Sequence, residues 1–222
     1  MTHNHEDHPD ASVHDHGNDE AHSHGPAAKD HDDQLTYYRA MEIALRELLI
    51  AKGIVTADDV RSAVEAMDQR TPENGARLVA RAWCDPHYKK RLLADGSAAA
   101  REMGYEVGVL RLLVIENTLA VHNLVVCTLC SCYPRMLMGL PPAWYKSAAY
   151  RSRAVREPRA VLREFGTQIP DHVEVRVHDS TADMRYLVAP KRPKGTENWS
   201  EAELARLVTR DSMIGVALAE NA

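Results

Sequence analysis

Leu124-Val125-Val126-Cys127-Thr128-Leu129-Cys130-Ser131-Cys132-Tyr133-Pro134 is the stretch that decides how this chain folds and what chemistry it carries. Three apolar residues read as the end of a buried strand, and the chain then enters a tight loop with cysteines spaced three and two apart, closed by Tyr133-Pro134. A loop at a strand end can aim three sulfurs at one centre. Cysteines this close cannot staple distant parts of a chain, so the spacing points to metal or redox chemistry.

Three readings of the loop stand open on spacing alone. In the first, the peptide nitrogens of Ser131 and Cys132 lie between the thiolates of Cys130 and Cys132, and a strongly acidic trivalent ion such as Co(III) or Fe(III) displaces their protons. Cys127, Cys130 and Cys132 then give three sulfurs and Ser131 and Cys132 two nitrogens. One coordination position stays open, which is the mark of a catalytic metal. In the second, the loop holds structural zinc, which needs a fourth ligand such as Cys84 or His122 and lacks the usual two separated pairs. In the third, Cys127 and Cys130 form a redox pair, which leaves Cys132 unexplained.

Outward from the loop, the pattern predicts an α+β chain. From Leu35 the apolar residues Tyr38, Met41, Leu45 and Leu48 mark a helix ending at Gly53. Thr56-Ala57-Asp58-Asp59 resembles a capping box that opens a second helix, with Val60, Ala63, Val64 and Met67 turned inward. Further helices are predicted over 75–84, 86–94 and 98–103, so residues 35–108 form a helical arm. Residues 109–222 read as a mixed α/β domain with the cysteine loop at a strand end. Its strands are predicted at 110–115, 124–127, 173–178 and 185–189, and its helices at 143–153, 159–165 and 200–209.

Residues 1–34 form a third region. They hold eight of the twelve histidines, nine acidic residues and one lysine, a net charge of −8 that leaves +3 for the remainder. Such a segment cannot bury enough apolar surface to offset its ordering entropy, so a disordered tail is expected. It reads either as a solvated charged tail or as a low-affinity store for divalent metals that favour imidazole. No apolar run is long enough to span a membrane, the N-terminus is unlike a signal peptide, and no basic run suggests nucleic acid. A cytoplasmic protein is expected.

Val126 to Pro134 resembles the metal-claw motif of nitrile hydratase α subunits, and the resemblance covers roughly residues 35–217. It extends upstream through Arg81-Ala82-Trp83, Asp85-Pro86, Glu116-Asn117-Thr118 and Val121-His122-Asn123. Downstream it takes in Gly139-Leu140-Pro141-Pro142, Trp144-Tyr145-Lys146, Arg156-Glu157-Pro158-Arg159, Glu164-Phe165-Gly166 and Thr209-Arg210-Asp211-Ser212. The resemblance implies an axial thiolate at Cys127, a sulfinate at Cys130, a sulfenate at Cys132, and amide donation from Ser131 and Cys132. Thr128 is the family's cobalt-type signature, with iron the lesser alternative. The implied reaction is hydration of a small nitrile to an amide, with attack by the Cys132 sulfenate oxygen or by water near the metal. It requires a β-type subunit in a heterodimer or heterotetramer, whose arginines hold the sulfur oxygens.

Two positions depart from that pattern. Glu106 to Arg111 lacks the family's glutamine, with Gly108 in its place, and Arg135 stands where nitrile hydratases usually have tryptophan, as in the related thiocyanate hydrolase γ subunit. Arg135 either orients an anionic substrate or pairs with a surface carboxylate, the latter being preferred. Thiocyanate hydrolysis is the enzyme alternative, and a non-catalytic cobalt carrier or assembly protein is the alternative of another class. Of the remaining residues, His122 reads as a hydrogen-bonding histidine, Cys84 as a buried thiol, and Trp144-Tyr145 as a helix anchor. Arg151, Arg153, Arg156 and Arg159 read as a run facing a partner or solvent.

Overall fold

The computed structural model describes residues 36–221, so the His-rich tail expected over 1–34 lies outside the described residues. The chain divides into two compact units, one ending at Val55 and one beginning at Thr56. The described part of the first is helix α1 (Tyr37–Ala51), capped by the Thr36 hydroxyl, and the turn after it. None of its residues is buried, and Tyr37, Met41, Leu45 and Leu48 form an exposed apolar stripe.

The second unit opens with α2 (Ala57–Asp68), where the capping box is present as expected. The Thr56 hydroxyl accepts from the Asp59 N–H at 3.0 Å, and the Asp59 carboxylate accepts from the Thr56 N–H at 2.8 Å. The inward orientation of its apolar residues is corrected: α2 buries none, and Val64 and Met67 are exposed. Periodicity marks a face that water disfavours without identifying what covers it.

Helices α3 (Pro72–Cys84), α4 (Pro86–Ala94) and α5 (Gly96–Glu102) follow. The first starts at Pro72, whose missing N–H and fixed φ suit a first helical turn. The α4 cap is the Asp85 carboxylate, which accepts from the N–H groups of His87 and Tyr88.

Next come β1 (Arg111–Glu116) and β2 (Val121–Val126), then α6 (Arg135–Met138), α7 (Ala143–Lys146), α8 (Ala148–Arg156) and α9 (Pro158–Glu164). The chain closes with β3 (Glu174–Asp179), β4 (Met184–Ala189), α10 (Glu201–Ala205) and α11 (Arg210–Ile214). One expected helix, 143–153, is divided where Ser147 leaves helical geometry and its hydroxyl caps α8. The helix expected over 200–209 ends at Ala205, and α11, capped by the Thr209 hydroxyl, begins beyond it. The short α6 was not anticipated. Among the described residues, no helix is long and apolar enough to cross a membrane.

Each pair of strands is parallel. β1 runs beside β4 from Arg111↔Met184 to Glu116↔Ala189, and β2 beside β3 from Val121↔Glu174 to Val126↔Asp179. Parallel neighbours require long crossovers, and α6 to α9 supply the one between β2 and β3. Helices then cover the strands. α4 and α5 pack on β1, α8 on β2, α9 on β3, and α11 on β4 and β2. Leu124, Val125 and Val126 are therefore all buried, as a near-continuous apolar run should be.

Beneath the sheet lies a polar joint. The His122 ring faces the Gly215 carbonyl through Nε2 at 2.7 Å and the Asn117 amide nitrogen through Nδ1 at 3.2 Å. Only a donor can face a carbonyl oxygen, so Nε2 carries the proton and Nδ1 accepts. The Asn117 side-chain oxygen accepts from the Asn123 N–H at 2.7 Å. His122 is thus a buried structural histidine with both nitrogens engaged. Gly215 sits at φ 93°, and a Cβ there would lie 2.0 Å from the Asn123 carbonyl oxygen.

Burial lowers the His122 pKa below its ordinary value of 6.5. Protons therefore bind the unfolded chain preferentially once the pH falls through that value, and stability is full above it and declines below it. Melting temperatures should be level above neutrality and fall as the pH drops below 6.5, with a shallower fall in His122→Gln. A fall of equal steepness in that variant would remove His122 from the explanation. Gly215→Ala should cost roughly 3 kcal/mol or more in urea denaturation, because the clash and the positive φ act together.

Candidate metal centre

The register of β2 and β3 sets the cysteine loop. It places Asp179 opposite Val126, and the Ser180 N–H donates to the Val126 carbonyl at 2.7 Å, so pairing continues to the first residue of the loop. The Asp179 carboxylate then accepts from the Thr128 N–H at 2.9 Å and from the Thr128 hydroxyl at 2.6 Å. From α8, Arg151 Nη1 donates to the Thr128 carbonyl at 3.3 Å. At the exit, the Tyr145 hydroxyl of α7 donates to the Cys132 carbonyl at 2.9 Å, and the Tyr150 hydroxyl of α8 holds the Val125 carbonyl at 2.7 Å. The backbone is therefore held before, within and after the loop.

So held, the loop gathers its sulfurs. Cys127 Sγ and Cys130 Sγ are 3.5 Å apart, Cys130 Sγ and Cys132 Sγ are 3.2 Å apart, and all three lie within 4.8 Å of one another. Sulfurs bound at about 2.3 Å and at right angles to one another would be separated by about 3.3 Å. The Cys127–Cys130 and Cys130–Cys132 separations fit neighbouring donors of that kind, so the residues present suit a metal ion that these sulfurs would share. Cys127 is buried, Cys132 partly buried and Cys130 exposed.

The thiols differ in acidity. The Cys130 thiolate is stabilised first by Cys132, then by Cys127 and the Ser131 N–H, and its pKa is lowered. Burial, followed by the neighbouring Cys130 and Cys127, pushes Cys132 up to about 12, against the opposing pull of the Arg185 guanidinium. One negative charge is readily accepted at this site, and further ones need a cation to offset them.

Among the described residues, the cluster able to hold a metal consists of Cys127, Cys130 and Cys132. Cys84 is exposed at the end of α3, which corrects its expected burial, and His122 has both nitrogens engaged, so neither completes a zinc site. The arginine run is corrected in part. Arg156 is exposed, as expected, but Arg151 reaches into the loop, Arg153 is paired with Glu157 and Glu164, and Arg159 binds the carbonyls of Ile169 and Val173. Tyr145 does anchor its helix, and its hydroxyl also reaches the loop.

Asp179 and Arg185 were not singled out from the sequence, and Arg151 was read there without its contact to the loop. Asp179 follows directly on the strand expected at 173–178, but its pairing partner cannot be read from spacing. Beside the loop, a cavity of about 370 Å3 is lined by Tyr133, Arg135, Met136, Leu140 and Arg185. Arg135 is exposed there.

In metal-free protein, iodoacetamide should label Cys130 ahead of Cys132, as read by peptide mass spectrometry after brief treatment. Preferential labelling of Cys132 would contradict the assigned acidities. Asp179→Ala should loosen the loop by about 1–3 kcal/mol, since two hydrogen bonds to a charged group are lost. Several-fold lower metal content in elemental analysis would be its signature.

The sequence model of the family described as "Nitrile hydratase, alpha chain" matches residues 36–217. A low-molecular weight cobalt-containing nitrile hydratase subunit alpha from Rhodococcus rhodochrous is 52% identical over 79% of this chain and 86% of its own length. Its counterpart from Pseudonocardia thermophila is 51% identical over 78% and 86%. Thiocyanate hydrolase subunit gamma from Thiobacillus thioparus is 43% identical over 84% and 82%. Among solved structures, a recombinant thiocyanate hydrolase with partially modified cobalt centres superposes with a TM-score of 0.77 at 42% identity, covering 85% of this chain and 95% of that one. An Fe-type nitrile hydratase from Comamonas testosteroni Ni1 superposes at 0.76 with 44% identity, covering 82% and 90%. Matched across the whole body that builds and holds the three-sulfur loop, this chain belongs to the nitrile hydratase alpha-chain family.

Proposed function

We propose that this chain is the metal-carrying α subunit of a cobalt-type nitrile hydratase, which adds water to a small nitrile to give the amide. The observation that carries this reading is the gathering of the Cys127, Cys130 and Cys132 sulfurs within 4.8 Å of one another at the end of β2, in a chain about half identical to cobalt-containing subunits. The ligands would be the three sulfurs and the amide nitrogens of Ser131 and Cys132, with Cys130 as sulfinate and Cys132 as sulfenate in the mature site. Co(III) suits this donor set, with iron the lesser alternative. When bound, the ion acts as a Lewis acid that makes the nitrile carbon electrophilic.

The chain's own residues do the positioning. Asp179 and Arg151 fix the Thr128 peptide, so that Cys127 and Cys130 cannot drift apart. Tyr145 fixes the Cys132 carbonyl and with it the direction of the Cys132 side chain. Cys132, Cys130 and Ser131 would face the substrate, with the Arg185 cation beside them. The cavity next to the loop has room for a small molecule.

A β-type subunit would complete the enzyme as a heterodimer or heterotetramer. Its support is that the relatives this chain resembles are named as subunits of larger enzymes. The cytoplasm suits the four free cysteines, which stay reduced there until metal is loaded.

Protein co-expressed with its neighbouring β-type subunit in cobalt medium should retain cobalt against chelators and hydrate nitriles. The 127–132 peptide should gain two oxygens at Cys130 and one at Cys132. Unmodified cysteines with exchangeable zinc would overturn the reading. Thiocyanate hydrolysis is favoured by one specific observation, the exposed Arg135 sharing its cavity with Arg70 and Arg185, three cations against the single carboxylate of Asp68. If thiocyanate is the substrate, Arg135→Trp should lower its turnover on the order of tenfold, ~1.4 kcal/mol in the barrier. If nitriles are, their turnover should survive the change.

A further inference from the structure

Parallel strands gather ligands in the crevice beyond their carboxyl ends. The metal loop uses the carboxyl end of β2 beside β3. The short turn after β1 sends β2 back alongside it, with Thr118 N–H on the Val121 carbonyl and the Asn123 amide on the Glu116 carbonyl, so β1 and β4 point the other way. Their carboxyl ends open on a second cavity, of about 520 Å3, lined by residues from four segments, 117–122, 168–173, 191–194 and 218–221. The six residues of β2, at about 3.3 Å each, separate it from the metal loop by roughly 17 Å.

Each wall is fixed by the fold. The Thr118 hydroxyl accepts from the N–H groups of Ala120 and Val121 at 3.1 and 3.0 Å. Arg159 donates to the Ile169 carbonyl at 3.0 Å, and the Thr167 hydroxyl to the Val216 carbonyl at 2.7 Å. The Arg192 guanidinium donates to the carbonyls of Trp83 and Thr196 at 2.8 and 2.6 Å, so it anchors its loop and leaves the cavity's charge to its neighbours. The Glu220 N–H donates to the Leu207 carbonyl at 2.9 Å. The cavity is thus formed before anything enters it, and its size lies within the roughly 300–1,000 Å3 of small-molecule sites.

Its lining carries charge of one sign. Lys191, Lys194 and His172 face it, Lys191 and Lys194 form no ion pair among the described residues, and no carboxylate of the described residues lines it. The acids that adjoin the lining in sequence are Glu116, Asp171, Glu174 and Glu220, of which Glu116 is paired with Lys89 and Glu174 with Arg176. A concave wall of one sign focuses its field on the space it encloses. The rest of the lining is largely apolar, with Leu119, Ile169, Val173 and Leu218. A bare inorganic ion would leave that surface wet. We propose that this cavity binds a small organic anion, a carboxylate or phosphate monoester, whose charge meets Lys191 and Lys194 and whose apolar body lies against Leu119, Ile169 and Leu218. The site lies at the far end of β2 from the cysteine loop and does not rest on the proposed function.

The test is isothermal titration calorimetry at low salt on the full chain co-expressed with its neighbouring β-type subunit, beside a Lys191→Gln/Lys194→Gln variant. The probes are hexanoate, hexyl phosphate, acetate and inorganic phosphate. At least one hexyl probe should bind the unaltered protein, the tighter of the two identifying the head group, and the variant should bind it about tenfold or more weakly. Its counterpart without the hexyl chain should bind about tenfold or more weakly to the unaltered protein, since the apolar body is then missing. The variant should keep the melting temperature, metal content and nitrile hydration of the unaltered protein, which separates loss of this site from loss of fold or of the metal centre. Absence of binding by both hexyl probes overturns the site, as does equal binding in the variant, which would place the anion elsewhere, at the metal-loop cavity for example. Inorganic phosphate or acetate binding as tightly as its hexyl counterpart overturns the organic ligand.

Discussion

Parallel pairing of β2 with β3, ending in the register Val126↔Asp179, is the constraint on which the metal loop depends. Parallel strands cannot be joined by a tight turn, so the chain leaves β2, travels through four helices, and returns alongside it. The excursion supplies the loop's other supports, because α7 brings Tyr145 and α8 brings Arg151 and Tyr150 to it. The strand that returns brings the Asp179 carboxylate. The crossover that the topology requires is thus also the scaffold of the site.

The polar joint at His122 ties the last helix to the same strand. Gly215 offers its carbonyl to the ring and lies against the Asn123 backbone, where no side chain fits. Asn123 in turn accepts from His178 on β3 at 2.8 Å. β2 is consequently held by hydrogen bonds on its edge and by buried polar groups at its face. Such a network has few alternative arrangements, which suits a strand whose end must be placed accurately.

Much of this was legible in the residues. The period change after Gly108 gave the strands to within a few residues, and the capping chemistry of Thr56 gave a helix start. The spacing of the three cysteines was enough to single out the loop whose sulfurs the fold gathers together. What remained hidden was of two kinds. Asp179 and Arg151 reach the loop through long-range pairing, for which sequence spacing has no signal. The helical periodicity of α2 was visible, but a stripe of Val64 and Met67 reads the same whether the chain itself or another molecule covers it. A capping hydroxyl inside a helical pattern, as at Ser147, likewise gives no sign in the periodicity that it divides one helix into two.

The anchoring bonds also bear on how the loop can move. Drawing Cys127 and Cys130 apart would shift the Thr128 peptide, which Asp179 and Arg151 hold from two different parts of the chain. The sulfurs are thus restrained by residues distant from them in sequence, and a change at the end of β3 or in α8 is felt at the loop.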